Sequence, residues 1–272
     1  MKIYNNLTNA EYRSKKEFLS SSDIKTLLEN PYNFKNEIVR EQSDSLILGS
    51  LIHTLILEPN AYERDYMEMP ELNARTKEGK ELKAKLEQEA KEQNKTLISV
   101  DLKNKALNVV EAFKKTKIYN LFKENGQSEL SFFDKIEGVP CKCRPDYFIK
   151  EKNIILDLKT TSTQGGASAD GFIKAVANFK YYIQAALYLE LTQAKEFYFV
   201  VLETNAPYMC GVYKLDRQSL EFGLSEIKRA FEIYSNIDKY KEAVYLDFEN
   251  DYKTIQELTL PNYVYYKKGA SF

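Results

Sequence analysis

Arg144-Pro145-Asp146-Tyr147-Phe148-Ile149, a short turn, and then Ile154-Ile155-Leu156-Asp157-Leu158-Lys159 form the stretch on which the fold turns. Both segments are rich in β-branched and aromatic residues and are separated by Glu151-Lys152-Asn153, so they read as strands of a β-hairpin. Strand side chains alternate between faces. Ile155, Asp157 and Lys159 therefore share one face, and Ile154, Leu156 and Leu158 the other. An apolar strand that ends in an acid and a lysine must send those charges to solvent or give them partners, because an unpaired buried charge is costly. A divalent cation is one such partner. Asp146 and Asp157, from neighbouring strands, offer oxygen ligands to a hard cation such as Mg²⁺ and leave positions for water and a phosphate. Lys159 would then orient or activate an attacking water and offset developing charge. The same triplet also occurs in ordinary edge hairpins whose Asp and Lys are merely solvated.

Upstream of this hairpin, Glu129 to Ile136, a Glu137-Gly138 turn and Val139 to Ile149 extend the pattern to three consecutive strands in a meander. Thr160 to Gly171, rich in Ser, Thr, Gly and Ala, reads as a flexible loop directly after Lys159. Phe172 to Leu191 reads as a helix. Phe197 to Glu203 and Met209 to Leu215 read as strands, and about Ser219 to Asn236 as a last helix. The first half is helical. Ser20 to Asp23 cap a short helix that stops at Asn30-Pro31, and Ser45 to Glu58 form a strongly apolar one in which Gly49 and His53 share a face. Arg75 to about Asn94 is an exposed helix or a loop, and Asp101 to about Glu124 is again helical. The expected fold is α/β with a mixed sheet (α+β), in one domain spanning 1–272. Residues 1–126 are mainly helical, 127–238 form the sheet core and 239–272 an irregular tail.

Composition narrows the function classes. The 272 residues are 43% hydrophobic, enough for a sizeable core. With 39 Lys and Arg against 40 Asp and Glu, the chain has no global attraction for nucleic acid, so any DNA contact needs a local basic surface. Candidates are Arg75, Lys77, Lys80, Lys83 and Lys85, though interleaved glutamates make an ordinary solvated helix look the same, and Lys142 and Arg144 beside Asp146. Three cysteines make neither a disulfide framework nor a four-thiolate metal centre. Cys141 and Cys143 alternate on a strand and pack on one face. No signal peptide and no apolar run near ~18 residues is present, so a cytoplasmic protein without a membrane span is expected. The single histidine, His53, is able to supply one metal ligand but not a His-rich centre.

The order G-x-x-x-H (Gly49, His53), Glu129, P-D (Pro145, Asp146), D-x-K (Asp157, Lys159) and Q-x-x-x-Y (Gln184, Tyr188) resembles the RecB-like branch of the PD-(D/E)xK nucleases. More closely, the chain is similar to the RecE-type phage and prophage exonucleases, also called exonuclease VIII. Leu19 to Lys25, Gly49 to Pro59, Arg75 to Lys80, Arg144 to Asp146, Asp157 to Thr161, Gln184 to Tyr188, Ala206 to Tyr208 and Leu260-Pro261 carry the likeness over nearly the whole chain. The resemblance implies a restriction-endonuclease-like core. It also implies an exodeoxyribonuclease, dependent on one or two Mg²⁺ or Mn²⁺ ions, that resects linear double-stranded DNA 5′ to 3′. The 3′ single-stranded tails would serve recombination with a RecT-type annealing partner, and relatives assemble as rings, which implies a homo-oligomer.

By position, His53, Asp146, Asp157 and the Leu158 main-chain carbonyl would hold metal. Lys159, Glu129, Gln184 and Tyr188 would serve catalysis, and Arg75, Lys77, Lys80, Arg144, Thr160 and Thr161 would meet DNA. Tyr182 stands where relatives often carry a histidine, and the long N-terminal extension of the largest relatives is absent. An endonuclease of the same fold acting on nicks, flaps or single strands shares every catalytic residue. A DNA-binding or scaffolding module without turnover would usually lose the lysine or an aspartate.

Overall fold

The strand that carries Asp157 and Lys159 runs from Ile154 to Thr161 and lies in the middle of a five-stranded sheet, where its two faces divide the core. The computed structural model describes residues 1–5, 7–37, 43–70, 76–247, 250–261 and 264. The first half contains β1 (Lys2–Tyr4), α1 (Asn9–Ser14), α2 (Ser21–Glu29), α3 (Pro31–Lys35), α4 (Asp44–Leu57), α5 (Tyr62–Asp65), β2 (Tyr66–Met69), α6 (Lys77–Glu92), β3 (Thr96–Ser99) and α7 (Val100–Lys114). Then follow β4 (Gln127–Ser128), β5 (Ser131–Ile136), β6 (Val139–Cys143), β7 (Tyr147–Ile149), β8 (Ile154–Thr161), α8 (Ala169–Asn178), α9 (Tyr181–Thr192), β9 (Glu196–Glu203), β10 (Cys210–Tyr213) and α10 (Arg217–Ser235).

Strand order in the main sheet is β10-β9-β8-β7-β4. Only β8 and β9 are parallel within it, with Asp157 opposite Phe199 and Lys159 opposite Val201. A parallel neighbour needs a crossover, which α8 and α9 supply. On one face, Leu156, Leu158, Ile149 and Val200 pack with Leu51 and Ile52 of α4 and Val109, Val110 and Phe113 of α7. On the other, Ile155, Phe197 and Phe199 pack with Ile183 and Leu187 of α9 and Ile227 of α10. Each fully buried side chain of this size contributes about 1.5–3 kcal/mol relative to exposure. The mixed sheet with helices on both faces is the expected fold class. No helix among the described residues is long and apolar enough to cross a membrane.

The expected meander divides between two sheets. Gln127 and Ser128 pair with β7, whereas β5 and β6 join β1 in a separate three-stranded sheet. Glu129, expected to open the first strand, sits at the crossing point with φ +53°, a left-handed backbone that ends the ladder. The second expected strand breaks at Arg144-Pro145-Asp146, where the proline has no N–H to donate. Cys141 and Cys143 are both fully buried in one cluster, as the alternation implied. The single helix expected over Phe172 to Leu191 is two, turned at Phe179 and Lys180, and Lys180 has φ +51°. The loop expected from Thr160 is shorter at both ends. Thr160 and Thr161 continue β8 opposite Leu202 and Glu203, and Ser168 caps α8 by accepting from the Gly171 N–H at 3.1 Å. The β1–α1 arm and the parallel β2–β3 pair were not expected from the sequence.

Candidate active site

Helices α4 and α9 and the break before β7 converge on Asp157, Leu158 and Lys159 of β8. The Leu158 N–H donates to Asp146 Oδ2 at 2.6 Å, and His53 Nδ1 of α4 lies 3.5 Å from the same oxygen. A Cβ at Gly49 would stand 3.1 Å from Thr160 Oγ1, so the glycine lets α4 approach β8 closely, one turn before His53. Asp157, only 1% exposed, accepts from Gln184 Nε2 of α9 at 2.7 Å through Oδ1 and pairs with Lys159 Nζ through Oδ2. Lys159 Nζ is 3.5 Å from the Leu158 carbonyl and lies 5.0 Å from the ring centre of Tyr181. Asp157 and Lys159 do share a face, as strand alternation required.

The electrostatics follow from burial. Burial raises the Asp146 and Asp157 carboxyls to about 6 each, with Lys159 opposing in both cases and Asp146 adding to the rise at Asp157. Burial also pushes His53 down to about 4, helped by Lys159 and opposed by Asp157 and a backbone hydrogen bond with Leu158. The imidazole is therefore neutral near pH 7 and has a lone pair to offer. For Lys159, burial pulls downward, but Asp157 and Asp146 outweigh it and the net direction is up.

The donor chemistry fits a hard divalent cation. Two buried carboxylates held above their usual range are excess negative charge that a cation would neutralise, and His53 and the Leu158 carbonyl lie beside them. Among the described residues, no three His, Cys, Asp or Glu side chains already surround a common point. Each Asp157 oxygen has one partner, Gln184 or Lys159, and keeps a second lone pair.

The family described as a PDDEXK-like domain of unknown function (DUF3799) matches residues 20–245. The chain belongs to this PDDEXK-like family. A solved structure from Eubacterium rectale, provisionally named an exonuclease, is 15% identical, with coverage of 98% of this chain and 99% of that one and a TM-score of 0.61. That likeness shows the fold. An alkaline exonuclease from Laribacter hongkongensis (13% identity, 86% and 96% coverage, TM-score 0.36) and a phage-related exonuclease from Haemophilus somnus (10%, 85% and 99%, 0.35) are more distant. No curated protein matches the sequence significantly.

The remaining expected residues of the PDDEXK-like fold fall into three groups. Glu129 reaches the site: it feels Asp146 and, with His53, lines a cleft of about 530 Å³. Burial first, then Asp146, raise its carboxyl to about 8, while Arg144 opposes. Tyr188, 8% exposed, packs its ring against Phe197 at 5.8 Å, and its hydroxyl is pushed up first by burial, with Asp157 and Asp146 among the further causes. Thr160 faces Gly49, and the Thr161 main-chain oxygen accepts from the Thr204 N–H at 2.8 Å.

Arg144, expected at DNA, is turned inward instead. It is 8% exposed and donates to Ser131 Oγ at 2.8 Å, Asn9 Oδ1 at 3.0 Å and the Leu7 carbonyl at 3.0 Å. With three of its five N–H donors committed and its side chain buried, the guanidinium presents little surface to a phosphate. Lys77 and Lys80 are exposed on the first turns of α6. Gln93 and Asn94, just past the other end of α6, line the cleft, so these lysines stand roughly 20 Å from it along the helix. Arg75 lies outside the described residues.

Two residues near Lys159 were missed as site residues. Tyr181, the first residue of α9, lies under the Lys159 ammonium, and Lys25 of α2 approaches the same ring at 5.6 Å. Lys25 belongs to the Leu19 to Lys25 motif, but nothing in its spacing links α2 to β8.

Proposed function

We propose that this protein is a metal-dependent deoxyribonuclease that hydrolyses phosphodiester bonds at the Asp146, Asp157 and Lys159 site. The observation that carries the reading is the clustering of both aspartates, His53 and Lys159 around one peptide unit, Leu158. In this reading 1–272 is a single nuclease unit, whose site takes His53 from the helical half and the aspartates from the sheet. Bound Mg²⁺ or Mn²⁺, one or two ions, would supply Lewis-acid stabilisation of the phosphate and lower the pKa of water. Asp146, Asp157, His53 and the Leu158 carbonyl would hold it.

Lys159, whose ammonium has three N–H donors, would donate to the attacking water or to a phosphate oxygen and offset charge in the transition state. Gln184 keeps Asp157 oriented, Tyr188 packs behind both aspartates, and Glu129 can hold a proton at the cleft wall near neutral pH. Thr160 and Thr161 extend β8 beyond Lys159 towards a bound strand. Lys77 and Lys80, with Arg75, would meet duplex away from the cut.

Within this reading we favour a 5′-to-3′ exonuclease on linear double-stranded DNA that works in the cytoplasm. It would leave 3′ tails for a RecT-type annealing protein and act as a ring-shaped homo-oligomer. The RecE-type sequence order supports it. The test is digestion of linear duplex labelled at either the 5′ or the 3′ end, with Mg²⁺, by wild type, Asp157→Ala and Lys159→Ala. Progressive loss of the 5′ label as mononucleotides, abolished in both variants, is the expected result. Discrete fragments from closed circles or flaps would favour the endonuclease instead. Intact DNA throughout, or an active Asp157→Ala, would sink the nuclease reading.

A further inference from the structure

The corner between α8 and α9 presents an aromatic side chain that the fold leaves largely in water. Phe179 is 60% exposed, although it lies directly before the helix that carries Tyr181 and Gln184. Lys180, in left-handed backbone, makes the turn that throws Phe179 outward, and it is anchored by Glu29 at 3.7 Å. Its ring meets Tyr181 at 5.6 Å between centroids with an interplanar angle of 31°, and Tyr181 in turn lies under Lys159. The Phe179 carbonyl accepts from Lys25 Nζ at 3.4 Å. An open aromatic face and an ammonium group thus sit side by side, one ring away from Lys159.

We propose that Phe179 and Lys25 form a nucleotide subsite, in which an unpaired base of a DNA strand stacks on Phe179 and the phosphate of that nucleotide is held by Lys25. Every base has a π-face, so stacking on an exposed ring binds single strands without regard to sequence. A phenylalanine left largely in water costs apolar burial that a stacked base restores. Lys25 is charge-complementary to the ligand. Burial pulls it down to about 8, with the facing Lys159 adding to the effect and Asp157 opposing, so a phosphate between the two ammonium groups relieves their repulsion. The subsite rests on the nuclease reading only for the direction in which the strand continues, towards Lys159.

The experiment is fluorescence anisotropy of a labelled twelve-nucleotide oligothymidylate with the full chain in EDTA, so that binding is read without cleavage. A second probe carries abasic positions throughout. Phe179→Ala should weaken binding of the oligothymidylate by roughly 5–100-fold. Phe179→Trp should bind within threefold of wild type, and the abasic probe should bind both variants and wild type alike. Lys25→Ala should weaken both probes and reduce the slope of log affinity against log salt by about 0.7. Because Phe179 is exposed, its alanine variant should keep the wild-type melting temperature. Unchanged affinity in Phe179→Ala, or equal weakening on the abasic probe, overturns the subsite. The two readings separate cleanly: a protein that cuts DNA but ignores Phe179 loses only the subsite. One that binds through Phe179 but never cuts loses only the nuclease reading.

Discussion

Gln184 donates its side-chain amide to Asp157 Oδ1 at 2.7 Å, across the gap between α9 and β8. This bond decides which way the carboxylate faces, since its other oxygen is held by Lys159. Gln184→Leu removes the donor and leaves a buried acceptor unsatisfied. We expect cleavage and Mg²⁺ affinity to fall by roughly 10–100-fold, the usual effect of losing a residue that orients a metal ligand. Gln184→Glu places a second carboxyl against Asp157 and should lose more at pH 8 than at pH 6. Steady-state cleavage and calorimetric Mg²⁺ titration check both, and changes under twofold would count against an orienting role.

Lys159 has a structural role that is separable from its chemistry. Removing it leaves Asp157 and Asp146 buried without their cation, and breaking a buried pair from one side costs about 3–5 kcal/mol. Lys159→Ala should therefore unfold at lower urea than wild type in EDTA at pH 8. Lys159 lowers both carboxyls, so without it they take up protons above the wild-type value of about 6, and the deficit should shrink as the pH falls from 8 towards 6. Activity should drop by about 10²–10⁴-fold, the range for losing a group that moves or holds a proton in the transition state. A variant as stable as wild type at pH 8 would show that the pair contributes nothing to folding.

Glu129 makes stability of the metal-free protein fall between pH 7 and 8. Its pKa is raised on folding from an ordinary 4.5 to about 8, so the native state carries the extra proton. Its stabilising contribution is whole below pH 4.5 and is lost as the pH rises through about 8. His53 has the opposite sign: lowered from 6.5 to about 4, its contribution is whole above pH 6.5 and is lost as the pH falls. Above pH 7 the Glu129 effect is the larger: Lys25, lowered from 10.5 to about 8, opposes it by shedding a proton that the unfolded chain keeps, but from a pKa at the top of this range. Urea midpoints in EDTA should decline over this unit in wild type and rise slightly in Glu129→Gln, where only the Lys25 effect is left.

Much of the site was legible because strand alternation and helix spacing are local. Ile154 to Lys159 separated its two faces as read, and Gly49 and His53 landed on one face of a buried helix. What was not legible depends on distant partners. The meander divides because Pro145 cannot donate and Glu129 turns left-handed, and nothing local shows which sheet each remnant joins. The α1 arm has no buried residue of its own, so no apolar period announces it. Arg144 looked like a DNA contact because a cation beside an acidic motif invites that reading. Its partners Leu7 and Asn9 are more than a hundred residues earlier.

That arm supplies the last prediction. A six-residue helix does not persist by itself, and α1 is held from both ends by cations of the β6 segment. Arg144 grips Leu7 and Asn9 at its start, and Lys142 Nζ caps its end on the Tyr12 carbonyl at 3.0 Å and the Lys15 carbonyl at 2.7 Å. Between them the Tyr12 ring meets Arg144 at 4.3 Å and Lys142 at 4.9 Å. Thr8, Asn9 and Ala10 line the cleft with His53 and Glu129, so a loosened arm opens that wall. Arg144→Met should speed amide hydrogen exchange over residues 7–14 by at least about tenfold, the ratio expected for losing ~1.4 kcal/mol of local stability, and leave β8 and β9 protected. Lys142→Met should act on the end of the helix only. The DNA-contact alternative makes a different signature: unchanged exchange in the arm, and a salt slope for duplex binding reduced by about one. Exchange data on Arg144→Met alone decide between the two, because a phosphate contact leaves the free protein's arm as it was.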